Sequence, residues 1–388
     1  MEGKLKPSFR IAPWHRPLSA FLALALLLLF SGAGAGDKSA LELFGARKDM
    51  ALGSPGFSSP RFSPDGKLVA FDTCDKSKCE NVVYDIANDR YFAYRDKQGR
   101  RINNVSFSPS GKKLTFVMRV QRGFLWWGEP QDRIVVGSVQ DMRFTFVTPP
   151  EGMKAYPEFW GEEAVLFIGE DPTDTGRRKS KLLYMVGVDG KAARPLFKDF
   201  HKYKDVNTSL PRTRPLDFYE PSRPRPLWDG KHVVMSDYGF SKSRIPHAER
   251  HDVKHKDVKY QYEVLRILIS DENVTPMPIA VTEPYKPASA NAAKRLYVVG
   301  RLDRESAGGS YVHDVFAVRD GKAERVSRLA VYIFDMDVNP DGTFLALVVP
   351  TPDRSFINGR ILLYDTRNHN HRELKPKAVS ELLVHIDG

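Results

Sequence analysis

The chain has 388 residues, 41% hydrophobic and 28% charged, which is apolar enough to bury a core and excludes a disordered polymer. Its 59 Lys and Arg against 48 Asp and Glu leave a formal charge of +11, a balance that favours acidic partners over basic ones. Two cysteines are too few for an all-thiolate zinc site or a disulfide-dense scaffold.

The N-terminus reads as an export signal. Lys4, Lys6, Arg10 and Arg16 precede an uncharged apolar run, "PLSAFLALALLLLF", from Pro17 to Phe30. The run falls short of the roughly 20 residues a spanning helix needs. "SGAGAG" follows, with Ala33 and Ala35 at the spacing read by signal peptidase. Residues 1–35 are therefore expected to be a signal peptide cleaved after Ala35, with an uncleaved anchor as the alternative. Cleavage removes four positive charges and Glu2, taking the net charge from +11 to +8. The expected location is periplasmic or secreted. Export argues against nucleic acid as a target and limits membrane contact to an uncleaved signal segment.

Residues 36–56 form an N-terminal segment, after which a repeat begins. "FSPDGKLVAF" from Phe62, "FSPSGKKLTFV" from Phe107 and "VNPDGTFLALVV" from Val338 share one pattern. Weaker copies are "FWGEEAVLFIG" from Phe159, "LWDGKHVVMSD" from Leu227 and "ASANAAKRLYVVG" from Ala288. Repeats spaced at propeller intervals, each with four short β-branched and aromatic runs between turn residues, predict four strands per unit. Helical periodicity is nearly absent, so sheet must stack on sheet. The expected fold is all-β, a six-bladed β-propeller of four-stranded antiparallel blades over residues 57–388, with blades starting near 57, 102, 155, 223, 285 and 332. Either Leu41–Leu52 or the terminal "ELLVHI" would help close the ring.

The "FSPDGKLVAF" unit resembles the repeat of TolB-like propellers, in which an S-P-D-G turn joins a blade's first two strands. The resemblance implies a propeller from about residue 57 to 388 and a binding role for it, without the α/β domain that precedes the propeller in TolB.

Ser63-Pro64-Asp65-Gly66 could suggest a catalytic serine, but it suits a turn position by position, and the motif recurs where a nucleophile should occur once. No G-x-S-x-G elbow exists, and no catalytic residue is assigned. Asp337-Val-Asn-Pro-Asp-Gly342 mimics half a calcium loop, but its twelfth position is Val348 instead of a bidentate Glu. Cys74 and Cys79 in "CDKSKC" are expected to form a disulfide in an exported chain, with two free thiols as the alternative.

Four long connections carry unusual chemistry. "RGFLWWGEP" places Phe124, Trp126 and Trp127 in a loop, either as a plug between blades or as binding anchors. "TGRRKSK" supplies Arg177, Arg178 and Lys179, and "NTSLPRTRPLDFYEPSRPRP" supplies Arg212, Arg214, Arg223 and Arg225. His247, His251 and His255 recur every four residues in "PHAERHDVKH", a spacing that would align three imidazoles on a helix. In a meander all four connections leave one end of the ring, and loops on a rigid scaffold are where binding sits.

Two functions are consistent with these features. The favoured one is a non-enzymatic exported propeller with no cofactor, binding a protein or anionic cell-envelope partner through the basic and aromatic loops. The alternative, implied by a resemblance to propellers with similar repeats such as oligogalacturonate lyases, is a metal-dependent enzyme on acidic saccharide, with a divalent ion at His247, His251 and His255.

Overall fold

The computed structural model describes residues 47–50, 56–75, 78–119, 131–172, 181–191, 193–196, 221–240, 260–270, 273–277, 279–305, 311–350, 359–376 and 379–387. Residues from Arg47 to Gly388 form one compact unit, and every described element is a strand.

The turns explain why the strands reverse where they do. At the first, Ser63 Oγ donates to Asp65 Oδ1 at 2.5 Å and accepts from Leu68 N at 2.9 Å, while Gly66 N donates to Ser63 O. Gly66 has φ +70°, a conformation that an S-P-D-G turn leaves to glycine. Asn339 takes the serine's part in the last repeat, accepting from Phe344 N at 2.8 Å, and Gly342 has φ +78°. The calcium-like sequence is this turn.

Four sheets are four-stranded antiparallel meanders. They comprise β10 to β13 (Lys154–Trp160, Ala164–Glu170, Lys181–Gly187, Arg194–Pro195), β14 to β17 (Arg225–Pro226, His232–Phe240, Tyr260–Leu268, Asn273–Pro276), β18 to β21 (Thr282–Ala290, Arg295–Glu305, Tyr311–Arg319, Lys322–Arg325) and β22 to β25 (Asp335–Val338, Phe344–Pro350, Gly359–Asp365, His371–Leu374).

The remaining strands overturn the expectation of six separate four-stranded blades. One ten-stranded sheet takes the place of the first two. It joins β2 to β5 (Gly56–Phe62, Leu68–Asp75, Lys78–Asp85, Arg90–Asp96) to β6 to β9 (Arg101–Phe107, Lys113–Arg119, Asp132–Ser138, Arg143–Phe146) through the terminal strand β26, Val379–Asp387. β26 runs parallel to β5, Leu382 opposite Tyr94, and then parallel to β9, Ile386 opposite Phe144. It also pairs antiparallel with β1, Arg47–Met50. The physical reason is edge pairing: the outer strands β5 and β9 present open rows of backbone donors and acceptors, and one strand satisfies both. β26 contains the terminal "ELLVHI", and β1 lies within Leu41–Leu52.

The inner strands neighbour one another in the order β2, β6, β10, β14, β18, β22 and back to β2. Hydrophobic cores lie between adjacent sheets. Leu166, Ile168 and Leu183 pack on Val233, Met235 and Leu265, and Phe71 and Tyr84 pack on Ala346, Ile361 and Leu363.

One buried group makes the packing acid-sensitive. His313 is 5% exposed, with its ring edge-on to Tyr285 and Tyr332; its Nδ1 lies 3.2 Å from Tyr285 Oη, whose hydroxyl donates to Ile333 O. Burial, with Arg301 adding repulsion, pushes its pKa down to about 4. The unfolded chain binds this proton more tightly, so the contribution of His313 to stability is lost as pH falls from about 6.5 to about 4, reaching roughly 3 kcal/mol. Between those limits the pH slope of the melting temperature should differ between the parent and His313→Gln by this contribution, set against the opposite one from Asp72, whose raised pKa favours the folded state at low pH; an identical slope in the two chains would contradict this assignment.

Candidate functional site

The site lies where the inner strands meet around the axis. Strand alternation sends the lead residue of each repeat, such as Phe62, Phe159 or Val338, into an inter-sheet core, and turns the preceding residue the other way. Those preceding residues are Arg61, Ser106, Glu158 and Asp337, with Arg225 at the equivalent register against Val234.

They converge. Glu158, 1% exposed, accepts from Arg223 at 3.1 Å and Arg225 at 3.4 Å through Oε1, and from Arg61 and Ser106 at 2.9 Å through Oε2. Asp337, fully buried, pairs with Arg225 at 3.2 Å and Arg61 at 3.3 Å and accepts from Phe62 N at 2.7 Å. The Arg225 guanidinium also donates to Met336 O at 3.1 Å. Sequence-distant strands are tied together by two carboxylates and three guanidiniums.

A second layer sets the inner-strand backbones. Ser59, Asn104, Tyr156 and Lys286 all have φ near +50°, at or beside register shifts in β2, β6, β10 and β18. Each donates its amide to a side chain of a neighbouring repeat: Ser59 to Asp335 Oδ2, Asn104 to Asp72, Tyr156 to Asn104 Oδ1 and Lys286 to Ser236 Oγ. Asn104 tolerates this conformation better than most residues, and its Nδ2 also bonds Asp72 at 2.6 Å and Ser59 Oγ at 3.2 Å.

The electrostatics follow from burial. Desolvation lowers the pKa of Arg225 to about 10, with Arg61 and Arg223 repelling and the two carboxylates opposing the shift. Asp72 is pushed up to about 6, first by burial and against the hydrogen bonds from Asn104. Burial also works against the Arg61 cation, but Glu158 and Asp337 more than offset it and its pKa is raised. Glu158 and Asp337, each bound by two or more guanidiniums, serve as structural counter-ions. Arg223 Nη2 and the Nε atoms of Arg61 and Arg225 are buried without a protein acceptor.

The sequence-predicted residues are placed as follows. Arg223 and Arg225 are 5% and 3% exposed, in the axial cluster. Cys74 and Cys79 stand directly opposite each other in the β3–β4 ladder. Phe124, Trp126, Trp127, Arg177, Arg178, Lys179, Arg212, Arg214, His247, His251 and His255 lie outside the described residues, as does the signal segment. Among the described residues no group of three His, Cys, Asp or Glu is arranged to hold a metal ion. Sequence reasoning missed Arg61, Glu158 and Asp337, although each immediately precedes the lead residue of a repeat.

No family model matches the chain, and no curated protein matches it. Among solved structures it is similar to TolB from Acinetobacter baumannii, at 11% identity and a TM-score of 0.50, covering 82% of this chain and 68% of that one. An oligogalacturonate lyase in complex with manganese gives 13% and 0.47, over 83% and 78%. The β-propeller domain of the trilobed protease from Pyrococcus furiosus gives 13% and 0.45, over 83% and 98%. Identities this low speak to architecture alone. The repeat, the ring of inner strands and the likeness to TolB together give the chain a TolB-like β-propeller fold.

Proposed function

We propose that this chain is an exported, non-catalytic propeller that binds a protein or anionic cell-envelope partner through one end of its ring. The supporting observation is the asymmetry of its connections. Between the described strands, 120–131, 171–180, 196–224 and 241–259 all leave the same end, while the longest connection at the other end is 188–193. A rigid scaffold with long segments at one end suits recognition there. Phe124, Trp126 and Trp127 are the proposed anchors, and Arg177, Arg178, Lys179, Arg212 and Arg214 supply positive charge. Arg223 and Arg225 hold the base of the 196–224 segment to the axial carboxylates.

The test is crosslinked co-purification from intact cells, comparing the parent chain with Arg177→Glu/Arg178→Glu/Arg212→Glu/Arg214→Glu. The expected result is at least a tenfold loss of recovered partner with an unchanged melting temperature. Equal recovery would defeat the reading. Protein from the exported fraction should resist thiol alkylation until reduced, as a Cys74–Cys79 bridge requires; free thiols in that fraction would count against the bridge.

A further inference from the structure

The opposite end of the ring carries a second feature. Between the sheets β14–β17 and β18–β21 lies a cleft of about 640 Å³, within the usual range for small-molecule sites. It is built from the short turns 227–231, 291–294 and 320–321 and the strands beside them, so it is separate from the long connections. Its interior is mainly apolar: Leu227, Met277, Leu296 and Val318 line it. Trp228 also lines it and is 39% exposed, the one large hydrophobic residue left exposed among the described residues.

Charge is arranged around that apolar interior. Arg266, Lys294 and Arg319 contribute three cations, against Asp229 and Asp320. Asp229 is already occupied, accepting from Lys231 N and His232 N at 2.9 Å and meeting His232 Nδ1 at 2.6 Å. Asp320 is 91% exposed and reaches Arg319 only at 3.8 Å, a surface pair worth little. Arg266 lies 3.5 Å from Asp229, and its Nε is buried without an acceptor. An apolar interior with donor-rich cations at the rim is complementary to a ligand having an apolar body and a negatively charged end.

We infer that this cleft binds a small amphipathic carboxylate, its aliphatic or aromatic body against Trp228, Met277 and Leu296 and its carboxylate at Arg266, Lys294 and Arg319. A neutral alcohol of equal length would fill the same volume but bring no negative charge to the three cations at the rim. An alkylammonium ion would be repelled. The inference does not depend on the long connections or on any macromolecular partner.

Calorimetric titration of the purified full chain with octanoate, octanol and octylammonium tests it. Octanoate should bind at one site, at least tenfold more tightly than octanol, with octylammonium weaker still. Lys294→Glu/Arg319→Glu should weaken octanoate tenfold or more and leave octanol within twofold, and Trp228→Ala should weaken both. Lys294 and Arg319 are exposed, so the charge variant keeps the test decisive even where the tryptophan variant folds poorly. Equal affinity for octanoate and octanol, an unaltered octanoate affinity in the charge variant, or no octanoate binding at millimolar concentration would each overturn the assignment.

Discussion

Glu158→Ala should destabilise the folded chain by about 3–5 kcal/mol, the usual cost of removing one partner from a buried ion cluster. Arg61, Arg223 and Arg225 would lose a shared acceptor, and the last two are almost fully buried. Asp337 would remain as the acidic partner of Arg61 and Arg225. Glu158→Gln keeps an acceptor for Ser106 Oγ while removing the charge, and should therefore fall between parent and Ala. The measurement is the midpoint of denaturant unfolding at a constant slope. A loss below about 1 kcal/mol for the alanine variant would show that the cluster does not hold the inner strands together.

Truncation before Val379 should abolish cooperative unfolding and promote self-association. Without β26, the edges of β5 and β9 lose a parallel partner and β1 loses its only pairing among the described strands. Open edges of this kind recruit other chains. Val379 and Val384, 2% and 0% exposed, would also be lost from the core, at about 2 kcal/mol each. Calorimetry combined with light scattering reads both effects. The full-length Val384→Asp variant should show a lower melting temperature without the open edges. A truncated chain that melts as sharply and stays as monodisperse as the parent would remove β26 from its role in holding the ten-stranded sheet.

The axial cluster was partly legible in the sequence. Phe62, Phe107, Phe159 and Val338 lead their repeats, and in a strand the residue before a core position must face the other way. That rule alone picks out Arg61, Ser106, Glu158 and Asp337. Nothing local says that these positions meet, because the partners are separated by as many as 276 residues. Arg223 and Arg225 illustrate the gap. In sequence they belong to a Pro- and Arg-rich connection that looks solvent-bound, whereas their guanidiniums are buried against Glu158 and Asp337.

Short-range chemistry made the repeat readable: serine or asparagine that caps a turn, glycine at positive φ, and alternation that sends one face of each strand into the core. Those interactions span a few residues, so sequence by itself determined the strands, their reversals and the β-propeller class. Tertiary structure decided how the strands were divided among sheets. β26 lies hundreds of residues from β5 and β9 in the chain, and which edges it covers depends on where ring closure leaves unpaired backbone groups. The left-handed residues Ser59, Asn104 and Tyr156 were settled the same way, by acceptors on neighbouring repeats that only the assembled ring brings within reach.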